Sequence, residues 1–400
     1  MTPPIPRPAH PAFLLIGITL LMTAHSTSTG CAPAQRELAP APVSAAPTLD
    51  RRVRKVATNA AQLPPARKLS IVQVRVPDGA ALPSIVGQLG HYRVGGGESL
   101  LAIARKTGVG FRELRDGNPT IDEWEPTIGT DLVVPTRWIV PRIDSYRGLV
   151  INIPEMRLYM FPTDTFPGER VPVLTWPIGI GAEEAPSPVG PFKILSKDEN
   201  PTWVVPDSIY RTMERPQRVV PPGPDNPLGA YRIRLDKDLY AIHGTNDPWT
   251  VGRLTTHGCI RLYPEDIEML YPLVDRGMSG EMIYQPVKIG ERDGNVYVEV
   301  HKDVYQMFPD LERHAFDEVA RAGVQLRVDP ALLRAAVKHK RGIPVNVSRG
   351  KANVTTASAN PDGAPGVNET DAPGRRNRGA GGTNALSSRE AARPDDSVYR

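Results

Sequence analysis

The sequence predicts a mainly β protein, a sandwich or barrel with short helices, that follows a small βααβ domain and precedes a disordered tail. From residue 149 onward, short apolar or alternating runs are cut by proline and glycine, as in Leu149–Ile153, Arg157–Phe161, Val171–Ile180 and Gly190–Ile194. Short strands with frequent turn signals are typical of sandwiches and barrels. The 400 residues hold 43 prolines, eleven of them within the first 65 positions, which excludes a single compact globule.

The first 85 residues predict an export signal and a spacer. Arg7 and His10 precede the apolar run Ala12–Ala24, and small polar residues follow up to Gly30. A run of this length fits the core of a signal peptide over residues 1–30 and is short for a bilayer span, although an uncleaved membrane anchor is the alternative. Residues 31–85 are rich in proline and alanine, which predicts an extended spacer.

The charge is unevenly distributed along the chain. Residues 1–70 carry a net charge of +6, residues 346–400 carry +2, and the part between them carries −4. A nucleic-acid-binding groove needs basic residues clustered on a folded face, and the folded part has no visible cluster of that kind. We therefore expect no nucleic-acid partner.

Residues 91–136 predict a compact βααβ module. His91–Val94 alternates like a strand, Ser99–Lys106 and Phe111–Arg115 have helical character, and Asp131–Val134 reads as a second strand. The pattern resembles a LysM module at Tyr92, Val94, Gly97-Glu98-Ser99-Leu100, Ile103-Ala104, Leu114, Asn118-Pro119, Gly129, Leu132 and Val134-Pro135. The resemblance implies binding of peptidoglycan strands that contain N-acetylglucosamine. The alternative is a spacer domain without a ligand, since core packing alone accounts for apolar periodicity.

The last third of the chain predicts a C-terminal extension and a tail. A helix is expected at Pro264–Val274, and then the extension over residues 286–345 begins with a hairpin, Ile289–Val300, that turns at Asp293-Gly294-Asn295. Residues 312–325 and 330–341 have the pattern of amphipathic helices. Residues 346–400 contain almost no large apolar side chains and are expected to be disordered.

The two cysteines lie in different surroundings. A disulfide between Cys31 and Cys259 is the simplest use of a pair. However, Ser28-Thr29-Gly30-Cys31 resembles a bacterial lipoprotein processing site, in which the cysteine becomes diacylated, although that family usually has an aliphatic residue at the position of Ser28. Lipidation of Cys31 would leave Cys259 as an unpaired thiol in an oxidising compartment, where such thiols are uncommon unless they have a chemical role.

The segment Ala241–Leu262 concentrates side chains with catalytic chemistry. Within 19 residues it holds His243, Cys259 and Arg261. A cysteine nucleophile needs a nearby imidazole, because the thiolate is the reactive species and an ion pair with protonated histidine lowers the thiol pKa. It also needs backbone N–H groups for the oxyanion, and Gly258 permits the close approach of a substrate. The alternative is a buried structural cysteine beside packed histidines.

The order of these residues resembles the signature of the L,D-transpeptidases, the YkuD-type catalytic domain, in the ErfK/YbiS-like envelope branch of Gram-negative bacteria. The resemblance lies in Ile242–Asn246 and Thr256–Leu262. It extends to Gly179-Ile180-Gly181, to Ser187–Phe192, with serine in place of the usual threonine, and to Pro221–Gly229. A catalytic domain is therefore expected over residues 147–285.

The resemblance implies a role for each matching residue. Cys259 is the nucleophile that forms a thioester, and His243 is the general base and acid. The Gly244 carbonyl orients the imidazole, and the Gly258 N–H contributes to the oxyanion hole. Substrate contacts are expected from Arg261, His257, Thr256 and Asn246. No cofactor and no metal are expected.

The implied reaction is acyl transfer on peptidoglycan, which makes the protein an exported acyltransferase of the periplasm or cell envelope. The thiolate attacks the meso-diaminopimelate–D-Ala bond of a tetrapeptide stem, and carbapenems are expected to acylate the same thiol. The acceptor is left open between a second stem (a 3→3 cross-link), a lysine of an outer-membrane lipoprotein, and water. A sortase-like enzyme is disfavoured, because its Cys, His and Arg are far apart in sequence. A non-catalytic glycan-binding envelope protein is the alternative of a different class.

Overall fold

The computed structural model describes residues 70–78, 81–162, 165–211 and 216–350. The expected signal peptide, Cys31, the first part of the spacer and residues 351–400 of the expected tail lie outside the described residues.

Short strands dominate the described chain and confirm the mainly β class. The strands are β1 (Ser70–Arg75), β2 (Ile85–Gly87), β3 (Gly90–Arg93), β4 (Asp131–Val134), β5 (Arg137–Ile139), β6 (Gly148–Asn152), β7 (Arg157–Phe161), β8 (Arg170–Pro177), β9 (Ile180–Gly181), β10 (Gly190–Glu199), β11 (Trp203–Val204), β12 (Val219–Val220), β13 (Tyr231–Leu235), β14 (Ala241–His243), β15 (Leu254–Thr256), β16 (Ile260–Arg261), β17 (Ser279–Ile283), β18 (Val287–Arg292), β19 (Asn295–Val300) and β20 (Val345–Asn346). The helices are α1 (Leu100–Thr107), α2 (Phe111–Gly117), α3 (Asp207–Tyr210), α4 (Pro264–Leu270), α5 (Leu311–Arg321) and α6 (Pro330–His339). Within the described ranges, none of the helices has the length and apolar character needed to cross a membrane.

The largest sheet has nine strands in the order β1-β8-β7-β6-β17-β10-β13-β14-β16. Strands β6 and β17 pair in parallel, as do β14 and β16, and the other neighbours are antiparallel. Every position of β6 and β7 is buried. Leu149 and Ile151 belong to the core on one face, and Val150 belongs to the core on the other. Because both faces of the sheet are covered at these strands, their sequences are nearly continuous apolar runs without the alternation of a half-exposed strand.

One part of the expected spacer is a strand of this sheet. Strand β1 pairs antiparallel with β8 along its whole length, and its own Val72 and Val74 side chains are buried. The prediction of a spacer over residues 31–85 is therefore wrong from Ser70 onward. In this strand valines alternate with Gln73 and Arg75, which is the two-residue period of a half-buried strand. The proline-rich and alanine-rich sequence around it made this short pattern hard to recognise.

The strand, helix, helix and strand expected between residues 91 and 136 are β3, α1, α2 and β4. The Ser99 side chain accepts the Ala102 N–H at 3.3 Å and caps α1, which ends at Gly108 with φ 73°. The Asn118 amide donates to the Val133 carbonyl at 2.8 Å and accepts the Val133 N–H at 2.9 Å. Asn118 therefore ties the end of α2 to β4, which pairs antiparallel with β3.

This βααβ unit is bonded to the large sheet and to the segment after the cysteine. The Glu113 carboxylate on α2 accepts from the Arg157 guanidinium on β7 at 2.6 and 2.8 Å, and both side chains are buried. Arg105 on α1 donates to Glu265 on α4 at 3.0 and 3.2 Å. Charge-assisted bonds of this kind hold a fixed geometry, so the unit packs on the sheet as an integral neighbour.

The C-terminal extension forms its own small core. Strands β18 and β19 make the expected hairpin, and Asp293 and Gly294 take positive φ at its turn. Helices α5 and α6 pack on the hairpin and are shorter at their C-terminal ends than expected. Strand β20 pairs with β19, and Val347 is fully buried. The expected disordered tail is therefore wrong for residues 346–350, which belong to the fold.

Candidate active site

A pocket of about 710 Å³ opens at the edge of the large sheet where β14 and β16 lie side by side. In their parallel register His243 is the partner of Arg261, and Cys259 directly precedes β16. The pairing therefore places His243 beside Arg261, and Cys259 just before the start of the same strand. Five of the residues singled out from the sequence line this pocket: His243, Thr256, His257, Cys259 and Arg261.

His243 is buried, and its tautomer is fixed by its neighbour. Its Nδ1 lies 2.6 Å from the Gly244 carbonyl oxygen, which can only accept, so Nδ1 carries the proton and Nε2 is left as an acceptor. Burial lowers the pKa of His243 to about 3; the Arg261 charge adds to this shift, and the bond to Gly244 opposes it. The resting imidazole is therefore neutral, in the form that a general base requires.

Cys259 is half-buried and carries a free thiol. Its Sγ lies 3.6 Å from the Leu239 carbonyl oxygen, and the Ala241 N–H bonds to the sulfur. Burial raises the thiol pKa, against the opposing effects of the Ala241 N–H and the Arg261 charge. Both groups are therefore neutral in the resting site, and the reactive thiolate has to form by proton transfer.

A tight turn carries the cysteine. The Thr256 hydroxyl donates to the Cys259 carbonyl at 2.7 Å and accepts the Gly258 N–H at 3.1 Å. Gly258 has φ 96°, and a Cβ there would lie 2.4 Å from a ring carbon of Tyr240, so only glycine fits. The Gly258 N–H already has a partner in the Thr256 hydroxyl, so its part in the oxyanion hole stays a prediction that requires this bond to be exchanged. The Cys259 N–H remains a candidate.

Two further residues hold this turn from outside. The Ser187 hydroxyl donates to the Gly258 carbonyl at 3.0 Å, and the Ser187 N–H donates to the Tyr305 hydroxyl at 3.1 Å. Ser187 stands in a stretch that the sequence analysis noted without giving the residue a role. Tyr305 carried no sequence signal, because it lies in a different part of the chain and only the fold brings it here.

The backbone of Arg261 is held by hydrogen bonds, whereas one N–H of its guanidinium has no hydrogen-bond partner in the part of the chain that the structure describes. Its N–H and carbonyl both pair with Gly179, at 3.0 and 2.8 Å. Its Nε is buried and has no hydrogen-bond partner among the described residues. An unmatched buried guanidinium donor at a pocket wall favours an anionic ligand, because the bond would remove a desolvation penalty. Arg232 and Arg234, which the sequence analysis missed, line the same pocket.

The remaining predicted contacts divide into three groups. His257 is exposed and lines the pocket. Thr256 also lines it, but both of its hydroxyl bonds go to the cysteine turn, so it shapes that turn. Asn246 is exposed, donates to the Asp225 carbonyl at 3.2 Å and is absent from the pocket wall. The substrate contact of Asn246 therefore stays a prediction.

The one candidate metal cluster that the described residues contain lies elsewhere and surrounds a lysine. Glu155, Glu299 and His301 are buried with their ligand atoms within 4.8 Å of one another. The Lys288 ammonium lies 2.8 Å from Glu155 and 2.9 Å from Glu299, and it donates to the Ile139 carbonyl at 2.7 Å. A lysine thus supplies the positive charge that two buried carboxylates need.

Comparison with known proteins agrees with this site. The sequence model of the YkuD family, the L,D-transpeptidase catalytic domain, matches residues 146–289. The chain is 35% identical to the probable L,D-transpeptidase YbiS of Escherichia coli strain K12, over 64% of this chain and 85% of that protein. It is 34% identical to the probable L,D-transpeptidase ErfK/SrfK of Salmonella typhimurium, over 64% and 84%. It is also 34% identical to the probable L,D-transpeptidase YcfS of Escherichia coli strain K12, over 66% and 85%.

The matched region contains the neutral His243–Gly244 pair, the cysteine turn and Arg261 with its buried Nε, all described above. With relatives at this identity covered over most of their length, the chain belongs to the L,D-transpeptidase family.

Proposed function

We propose that this enzyme transfers the acyl group of a peptidoglycan tetrapeptide stem through a thioester on Cys259. The observation that carries the proposal is the arrangement of Cys259, a neutral His243 and an under-bonded Arg261 around one pocket. These three groups supply a nucleophile, a base and an anion-binding group, which together suit acyl transfer on a peptide that bears carboxylates.

In the first half-reaction, His243 Nε2 takes the thiol proton as the sulfur attacks the carbonyl of the L-centre of meso-diaminopimelate. The Cys259 N–H is the proposed donor to the oxyanion. Collapse of the tetrahedral intermediate breaks the bond to D-Ala, and His243 returns its proton to the leaving amine. The product is a thioester on Cys259 and free D-Ala.

In the second half-reaction, an amine attacks the thioester carbonyl. His243 takes a proton from that amine and returns it to the departing sulfur, so the free thiol is restored. A second stem as the amine gives a 3→3 cross-link, and a lipoprotein lysine gives an anchored lipoprotein. Water in place of the amine would make the enzyme a carboxypeptidase.

Release of D-Ala from a purified tetrapeptide tests the proposal. The wild-type chain is expected to release D-Ala and to show an intact-mass increase that matches the acyl-enzyme, and Cys259→Ala is expected to do neither. Persistence of D-Ala release in Cys259→Ala would overturn the proposal. Mass analysis of muropeptides with and without the gene then identifies the acceptor, since 3→3 dimers and stem–lipoprotein remnants differ in mass.

We propose that the βααβ unit over residues 91–136 binds glycan strands as a LysM module. Its loop before β4 presents Trp124 and Ile128, which are 67% and 71% exposed, and an exposed indole suits stacking on a sugar ring. Trp124→Ala is expected to weaken cosedimentation with insoluble peptidoglycan. Leu326→Ala, which removes an even more exposed apolar side chain from the C-terminal extension, serves as the control. Equal cosedimentation of the two variants would contradict the proposal.

We also propose that the chain is exported to the periplasm or cell envelope, with a lipid on Cys31 as one means of attachment. The support is the sequence of residues 1–31, with its short apolar run before a cysteine. The mass of the mature N-terminal peptide separates a diacylated Cys31 from simple cleavage and from an uncleaved anchor.

A further inference from the structure

We propose that Tyr305, from the C-terminal extension, is a positioning residue of the acyl-transfer site that acts through Ser187 on the turn carrying Cys259. The inference rests on the proposed function, because it concerns how the cysteine turn is held during the reaction. It gives residues 286–345 a role that the sequence left open.

The cysteine turn packs against the loop between β9 and β10. Thr256 pairs with Gly181, and the Ala182 N–H donates to the Thr256 carbonyl at 2.8 Å. The Ser187 hydroxyl closes the loop by accepting the Gly181 N–H at 2.9 Å while it donates to the Gly258 carbonyl at 3.0 Å. Ser187 is buried, so these two bonds do not compete with bulk water.

Tyr305 holds the loop at both ends. Its hydroxyl donates to the Gly181 carbonyl at 2.8 Å and accepts the Ser187 N–H at 3.1 Å. Gly181 and Ser187 are also joined by the Gly181 N–H to Ser187 hydroxyl bond, and that hydroxyl donates to Gly258, so the phenol hydroxyl, the loop and the cysteine turn form one continuous hydrogen-bonded chain. A displacement of Ser187 therefore reaches the Gly258–Cys259 peptide directly.

Tyr305 is in turn fixed by Tyr284, which directly follows β17, and by Asp303 of the extension. Its N–H donates to the Tyr284 hydroxyl at 2.8 Å, and the two rings stack with centroids 5.9 Å apart. The Tyr284 hydroxyl donates to Asp303 at 2.5 Å, and Asp303 also accepts the N–H groups of Met307 and Phe308. Tyr305 is thus anchored before it reaches the loop, as a positioning residue must be.

The position of the Gly258–Cys259 peptide matters because that peptide supplies the proposed oxyanion donor, the Cys259 N–H. A donor displaced by a fraction of an ångström loses much of its stabilisation of the transition state and little of its effect on substrate binding. Attack on iodoacetamide forms no oxyanion at a carbonyl, so alkylation of Cys259 does not depend on that donor. The two reactions therefore distinguish positioning from general damage.

The test uses the full chain with Tyr305→Phe and measures the kcat and KM of D-Ala release and the rate of Cys259 alkylation. We expect kcat to fall about tenfold, with KM and the alkylation rate within about twofold of wild type. Ser187→Ala is expected to behave in the same way, and Ser187→Thr to keep its activity because it keeps the hydroxyl. The double variant is expected to lose little more than Ser187→Ala alone, since both changes break one network.

Tyr297→Phe is the matched control. It removes a phenol hydroxyl from β19 of the same extension, and the described part of the structure shows no hydrogen bond from that hydroxyl. An unchanged kcat in Tyr305→Phe, or kcat losses that multiply in the double variant, would overturn the inference. So would a loss that vanishes when each variant is assayed well below its melting temperature. If Cys259→Ala is inactive while Tyr305→Phe is fully active, the inference fails and the proposed function stands; if Cys259→Ala is active, the proposed function fails.

Discussion

The Nδ1 of His243 lies 2.6 Å from the carbonyl oxygen of Gly244, the next residue along the chain. A backbone carbonyl thus does what a carboxylate does in a Ser-His-Asp triad: it fixes the tautomer that leaves Nε2 free to accept a proton. Unlike a carboxylate, it adds no full negative charge to favour imidazolium. Burial and the Arg261 charge lower the pKa of this histidine to about 3, and the bond to Gly244 opposes that shift only in part.

The first prediction concerns the pH dependence of thiol reactivity. Burial raises the pKa of Cys259, so the rate of its alkylation by iodoacetamide is expected to rise continuously from pH 6 through about pH 9. Peptide mass mapping separates this site from Cys31. A rate plateau between pH 5 and 7 would show a preformed thiolate–imidazolium pair and contradict the neutral resting site.

The second prediction concerns stability in acid. The pKa of His243 in the folded state, about 3, lies below the unfolded value near 6.5, so the unfolded state binds more protons between these limits. The stability contributed by this group is therefore present above pH 6.5 and falls as the pH drops towards 3, by at most about 1.4 kcal/mol per pH unit. Urea unfolding at pH 7, 6 and 5 measures the free energy of unfolding. As the pH drops, this free energy is expected to fall less in His243→Gln than in wild type. Equal losses in the two proteins would contradict the lowered pKa.

The third prediction is covalent inhibition. The Cys259 thiol and the neutral His243 line the same pocket, so a carbapenem is expected to add its own mass to the protein as the β-lactam ring opens to a thioester. Intact-mass measurement after incubation reports the adduct, and Cys259→Ala is the control. An unchanged mass of the wild-type chain, or an adduct retained in Cys259→Ala, would speak against the assigned nucleophile.

The fourth prediction concerns the pocket arginines. Loss of the under-bonded Arg261 side chain is expected to lower kcat/KM for a tetrapeptide about 10- to 100-fold, the range for a hydrogen bond to a charged group. Arg261→Lys is expected to recover little, because it lacks the planar fork. Arg313→Ala removes an exposed arginine from α5 and is expected to leave kcat/KM unchanged. Equal activity of Arg261→Ala and Arg313→Ala would exclude a substrate contact.

The fifth prediction concerns the packing of the βααβ unit on the sheet. Glu113→Ala leaves the Arg157 guanidinium buried without its carboxylate and is expected to destabilise the chain by about 3–5 kcal/mol. The double variant Glu113→Leu/Arg157→Met is expected to recover most of that loss, because neither residue then leaves a buried charge. Chemical denaturation measures both. A loss below about 1 kcal/mol in Glu113→Ala would show that the pair is not buried in solution.

Much of the chemistry was readable from the sequence because it is local. Cys259, His243 and Gly244 stand in a short motif whose family resemblance implies their roles, and the apolar runs of β6 and β7 predict buried strands. The βααβ order follows from helix caps at Ser99 and Gly108, which act over a few residues. In each case the physical cause lies within one turn or one strand, so a single stretch of sequence contains it.

What only the tertiary structure decided depends on contacts between distant segments. The order of residues does not reveal that the Gly258 N–H donates to Thr256, that the Asn246 amide donates to the Asp225 carbonyl, or that β1 completes the sheet. Nor does it place Tyr305 against Ser187, 118 positions earlier in the chain. The neutral state of the Cys259 and His243 side chains is likewise a tertiary property, because burial depends on everything that packs around a group and not on its neighbours in sequence.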